Sequence, residues 1–154
     1  MPQIRLFAVA AILFGAIAGC AKDNLPLTFD VTGIVEHQGR PVDGATVTLV
    51  PSEPNGRSAS GITDADGKFS VVTYLTASQQ PAGALPGAYS VTVSKLLVHQ
   101  LPEGLSAQDA QDAFAKMGPQ KNLLPKKYAS PNTSPFQVEI TDSEPEPLVL
   151  NLEG

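Results

Sequence analysis

Ala45-Thr46-Val47-Thr48-Leu49-Val50 alternates two kinds of residue, and Pro51 closes the run. A period of two puts Ala45, Val47 and Leu49 on one face and the threonines on the other. That is the pattern of a half-buried strand, not of a helix. The same period extends to either side. Upstream, Phe29 to His37 places Phe29, Val31, Gly33 and Val35 on one face, and Gln38-Gly39-Arg40-Pro41-Val42-Asp43-Gly44 is dense in turn formers. Downstream, a polar stretch from Ser52 to Ser58 leads to a short strand over Ala59 to Thr63. Asp64-Ala65-Asp66-Gly67 then precedes a strand from Lys68 to Tyr74, with Phe69, Val71 and Thr73 on one face. These two strands are expected to form a hairpin, with Asp66-Gly67 taking the positive φ angles of a tight turn.

Gly83-Ala-Leu-Pro86-Gly87 punctuates the chain again. After it, Tyr89, Val91 and Val93 alternate with Ser90, Thr92 and Ser94, and the last apolar alternations are Phe136–Ile140 and Leu148–Leu152. Seven short strands joined by turns predict an all-β sandwich. Thirteen glycines, 14 prolines and no tryptophan fit that class and argue against a helical bundle. One segment departs from the period. Ser106 is a helix cap residue with Asp109 three positions on, alanine-rich helix formers follow to Met117, and Gly118-Pro119 ends the run. A short helix is therefore expected inside a long insertion, 96–134, with Ala110, Phe114 and Met117 sharing a face. It reads either as a packed lid or as a binding loop.

The N-terminus follows a different logic. Arg5 is the only charged residue before Cys20, and residues 6–19 are an uninterrupted apolar or small-residue run. As a helix that run spans about 21 Å, short of a bilayer core of about 30 Å, and it fits a signal peptide better than a membrane span. It ends in Ile17-Ala18-Gly19-Cys20, which resembles the lipobox of bacterial lipoproteins. Cys20 is the single cysteine, so no intrachain disulfide is available. The resemblance implies cleavage before Cys20, acyl chains (palmitate among them) on that residue, and an effectively permanent anchor. Residues 1–19 are then the signal peptide, 20–28 a lipidated tether, and 29–154 the domain. Ala21, in place of an aspartate, favours the outer membrane over the inner one, with the domain facing the periplasm or the exterior.

Four further motifs occur in order: Val31-Thr-Gly-Ile-Val35, Gly39-Arg-Pro-Val-Asp-Gly-Ala-Thr-Val47, Thr63-Asp-Ala-Asp-Gly-Lys-Phe69 and Pro86-Gly-Ala-Tyr-Ser-Val91. Together they resemble the carboxypeptidase regulatory-like family, and the likeness covers nearly all of 29–152. Leu124-Pro-Lys-Lys-Tyr128, Thr133-Ser134 and Leu148–Leu152 extend it toward small bacterial lipoproteins of this type. The resemblance implies a Greek-key, transthyretin-like β-sandwich. It does not imply an activity, because the family is a module attached to many.

Residue chemistry points the same way. The whole chain carries −5; without Arg5, nine basic residues face 15 acidic ones, a net −6. An acidic domain of this kind repels nucleic acid. Asp64 and Asp66 suggest a calcium loop, but the twelfth position from Asp64 is Leu75, where such a loop needs glutamate. His37 and His99 are not spaced as metal ligands, and Cys20 is committed to lipid, so no metal or other cofactor is expected. No serine stands in a Gly-x-Ser-x-Gly elbow. The enzymatic branch of the transthyretin-like fold, the hydroxyisourate hydrolases, ends in Tyr-Arg-Gly-Ser. This chain ends Asn151-Leu-Glu-Gly154 and has only Arg40 and Arg57 in its domain. Asn151 as an isopeptide partner lacks a lysine on the first strand. Tyr74, Tyr89 and Tyr128 could form a sugar platform, although core roles are commoner for so few aromatics. The expectation is a non-catalytic structural or protein-interaction module of the cell envelope, attached to a membrane by its lipid and in contact with other envelope proteins. A carbohydrate- or small-ligand-binding lipoprotein is the alternative, and a hydrolase of unrecognised type a more distant one. No catalytic or ligand-binding residue is assigned.

Overall fold

The computed structural model describes residues 25–97, 104–143 and 145–154. Residues 1–24, which include the expected signal peptide and Cys20, and His99 lie outside the described residues. The strands in chain order are β1 (Thr32–His37), β2 (Arg40–Pro41), β3 (Thr46–Pro51), β4 (Ala59–Ile62), β5 (Lys68–Ser70), β6 (Val72–Thr73), β7 (Gly87–Ser94), β8 (Gln137–Ile140) and β9 (Leu148–Leu152). They form two sheets packed face to face, an all-β sandwich. One sheet has the order β6-β4-β3-β7-β8, antiparallel throughout. Within it, β7 returns to lie beside β3 after the β3-β4-β6 meander, which is a Greek key. The other sheet is built on β1. Antiparallel β5 and β2 pair with opposite ends of β1, and β9 runs parallel to it from Gly33↔Leu148 to His37↔Leu152.

The alternation read along the chain decides what lies between the sheets. Val31, Val35, Leu150 and Leu152 of one sheet face Val47, Leu49, Val91, Val93 and Ile140 of the other, all buried in one cluster. The few buried hydroxyls are satisfied by backbone. Thr63 Oγ1 donates to the Val42 carbonyl at 2.6 Å and accepts from the Ala45 N–H at 2.8 Å, and Thr73 Oγ1 donates to Gly83 O at 2.7 Å. These bonds splice loop backbone into the core without leaving an orphaned polar group.

Three local expectations are corrected. Arg40 and Pro41, read as turn residues, form β2, because Gln38 and Gly39 both adopt positive φ (53° and 72°) and close a two-residue hairpin with β1. At the other turn, Gly67 has positive φ but Asp66 does not. The Asp64 side chain makes that turn instead, its Oδ1 accepting from Asp66 N–H and Lys68 N–H, each at 2.9 Å.

The third correction is topological. Lys68–Tyr74 is not one strand hairpinned with the segment before it. It breaks at Val71: β5 pairs with β1 in one sheet, and β6 pairs with β4 in the other. Val71 is buried at the crossing, where its N–H donates to Val31 O (3.2 Å) and its carbonyl accepts from Gly83 N–H (2.8 Å). The period of two survives the crossing, so Phe69, Val71 and Thr73 are all buried, while the sheet to which they belong changes.

The helix α1 (Ala107–Met117) forms where expected. Ser106 caps it, its Oγ accepting the Asp109 N–H at 3.2 Å, and Gly118 ends it at φ 70°. No residue of α1 is buried, and Phe114 is 56% exposed, so the helix is not a packed lid. The packed part of the insertion comes later. Leu124, Tyr128 and Ser134 are buried, Tyr128 lying in a single 3₁₀ turn, Lys126–Ala129. The Ser134 hydroxyl donates to Val91 O and so fastens this segment to β7.

Candidate functional site

The residues singled out for chemistry do not converge. Asp64 spends one carboxylate oxygen on its own turn, and exposed Asp66 sits 4.0 Å from Lys68 Nζ. Among the described residues, no three His, Cys, Asp or Glu side chains are grouped to hold a metal ion. His37 Nε2 lies 3.2 Å from Gly154 O, and Arg57 is in the exposed loop between β3 and β4. Asn151 is exposed on β9 opposite Glu36.

The tyrosines are likewise separated. The Tyr89 hydroxyl donates to Leu85 O at 2.9 Å, four residues upstream, in the manner of a tyrosine corner. The Tyr128 hydroxyl bonds the backbone of Glu153, leaving only Tyr74 half exposed. Burial raises the pKa of Tyr89. In the folded state it therefore holds its proton to a higher pH than in the unfolded chain, where tyrosine titrates near 10. Its contribution to stability is intact below that pH and is lost as the pH rises through the folded value. Stability in urea is expected to fall more steeply above about pH 10 in the parent protein than in Tyr89→Phe. Parallel slopes for the two proteins would show that Tyr89 is not the group responsible.

A shallow groove of about 730 Å³ lies over the outer face of the β9-β1-β5 sheet. Its floor follows from register. Ile34 of β1 stands directly opposite Val149 of β9 in the parallel ladder, and Ile62 at the end of β4 adds a third β-branched side chain. Val149 is 61% and Ile62 70% exposed, while Asp64, Lys68 and Ser70 form the polar rim. Sequence reading missed this patch because it assigns the outward half of each alternation to solvent. The available signal was three β-branched apolar residues, Ile34, Ile62 and Val149, standing out of phase with their strands. A second hollow of about 570 Å³, at the opposite end of β1 from its Thr32 start, is lined by His37, Arg40, Asp43, Lys95 and Leu123. Its cations and carboxylate are mixed, without the buried, converging polar groups of a small-ligand site. No family model matches the chain, and neither a curated protein nor a solved structure similar to it is found.

Proposed function

We propose that this chain is a lipid-anchored, non-catalytic module of the bacterial cell envelope that works by protein contact. The anchor rests on Ile17-Ala-Gly-Cys20 behind a charged start and an apolar run too short to cross a bilayer. The regulatory-like, transthyretin-type assignment is supported by where its motifs lie. Gly39 is in the two-residue turn between β1 and β2, Gly67 has positive φ before buried Phe69, and Tyr89 locks the start of β7.

The observation that carries the contact reading is the outer-face groove. Exposed Ile62 and Val149 flank half-buried Ile34 in an apolar patch with a polar rim, which is how a protein-binding face differs from scattered surface apolar residues.

The anchor is tested on protein isolated from its own membranes. Mass spectrometry of the mature N-terminus is expected to show acylated Cys20, and Cys20→Ser is expected to accumulate as precursor or appear in the soluble fraction. A membrane-bound protein with an unmodified Cys20 thiol would sink the proposal. In the same membranes, Ile62→Asp, at a side chain 70% exposed, should abolish cross-links to envelope neighbours without altering the thermal midpoint. Unchanged cross-links would remove the groove from the contact surface.

A further inference from the structure

A sheet edge exposes backbone groups that can pair with another strand, and proteins protect such edges with charge, proline, shortness or cover. Most edges here are protected. β2 is a two-residue strand made of Arg40 and Pro41, and β8 carries Glu139 and follows Pro135. The far side of β6 is covered by residues 81–83, with Thr73 N–H bonded to Pro81 O at 2.9 Å. β9 differs. Leu148–Leu152 contains no charge and no proline, and among the described residues it pairs only with β1.

Which groups of β9 remain open follows from one bond. Gln38 N–H donates to Leu152 O at 3.2 Å, so Leu152 turns its backbone toward β1. Backbone groups alternate along a strand; Leu150 and Leu148 therefore face β1 as well, and Val149 and Asn151 face outward. The same outward row continues to Glu153 at one end and Pro147 at the other. Glu153 is already satisfied, its N–H donating to the Tyr128 hydroxyl (2.7 Å) and its carbonyl accepting from it (3.1 Å). Pro147 has no N–H to give.

We infer that β9 is the self-association edge of this protein, with a second copy of the chain pairing antiparallel to it about a two-fold axis at Leu150. In that register Val149 exchanges both backbone bonds with the partner subunit's Asn151, and Asn151 does so with the partner subunit's Val149. The ladder stops at these two pairs, because the Tyr128 hydroxyl already occupies the edge at Glu153 and Pro147 has no N–H with which to extend it. The side chains agree with this register. Leu148, Leu150 and Leu152 read the same in both directions, so the inner face of the joined sheet continues across the axis. The strand has no charge to set against itself, although the chain as a whole carries −5. The pairing stands on the backbone of β9 and needs neither the lipid anchor nor the groove.

The test uses the full chain in detergent, by sedimentation and hydrogen exchange over a concentration series. The expected result is a reversible dimer in which the Val149 and Asn151 amides gain protection in step with the dimer fraction. The Leu148, Leu150 and Leu152 amides should be protected throughout. Val149→Lys places a charge on an already exposed side chain, so the fold should keep its thermal midpoint while self-association weakens about tenfold or more. Val149→Thr should retain the dimer. The inference is overturned by a chain that stays monomeric at every concentration. It is also overturned by a dimer that Val149→Lys leaves intact, or by Val149 and Asn151 amides that become protected only when another envelope protein is added. None of these results bears on acylation of Cys20.

Discussion

Tyr128→Ala is expected to destabilise the domain by about 3–5 kcal/mol, the loss typical of removing a buried aromatic ring. The ring is buried in the sandwich and stacks on Phe136 with centroids 5.4 Å apart and planes 16° apart. Its hydroxyl clamps the backbone of Glu153 immediately after β9, and Lys127 Nζ lies 4.9 Å from the ring centroid. One side chain therefore joins the end of the long insertion, the segment leading into β8 and the last strand. Tyr128→Phe separates the two contributions. It keeps the ring and removes only the hydroxyl, at a spot where Glu153 is exposed and water can replace the lost partner, so about 1 kcal/mol is expected. Urea unfolding of the three proteins measures both differences. A loss below about 1 kcal/mol for the alanine variant would mean that this part of the insertion merely covers a core complete without it.

Gly61→Ala is expected to be nearly as damaging, for the opposite reason: it adds an atom where there is no room. Gly61 lies in β4 opposite Val47 of β3, and a methyl group there would run into the carbonyl oxygen of Ser70. Ser70 ends β5 just before the chain crosses to the other sheet at Val71. The obstacle is backbone held by β1 on one side and by the crossing on the other, so it cannot rotate away as a flexible side chain would. The expected destabilisation is about 3 kcal/mol, at the upper end of overpacking effects, or a fall in thermal midpoint of roughly 10 °C for a domain of this size. A midpoint within about 2 °C of the parent would show that β4 can move off the crossing strand.

Both positions show where sequence reading stops. Gly61 stands in a strand correctly anticipated over Ala59 to Thr63, yet nothing local distinguishes it from a glycine that merely weakens a strand. Its necessity comes from Ser70, which belongs to the other sheet. Tyr128 lies in a segment with no period of two, and its neighbours Lys126 and Lys127 are exposed. Its burial is set by Phe136 and Glu153, the second of them 25 residues away. α1 is the converse case. Its capping serine, helix formers and terminal glycine were all legible, and it forms where they place it, but the apolar face of Ala110, Phe114 and Met117 finds no core to enter. Periodicity states that a face is apolar, not that anything covers it.

The candidate surface divides along the same line. Ile34, Ile62 and Val149 are plain in the sequence as apolar residues out of phase. They become a patch only because β1 and β9, the first and last strands, lie side by side in parallel. The open edge of β9 is likewise a consequence of that pairing, since a strand has a free side only once its other side is taken.

What the sequence by itself determined was local: the inward and outward sets of each strand, the glycines of the turns and the cap of α1. Those features depend on neighbours within a few residues, through backbone sterics and side-chain alternation. The tertiary structure alone decided which strands meet, where the chain changes sheet at Val71, how Asp64 replaces a second positive φ in its turn, and which apolar residues stay exposed. Strand pairing depends on the summed contacts of segments far apart in the chain. A period of two is the same whichever neighbour a strand finds.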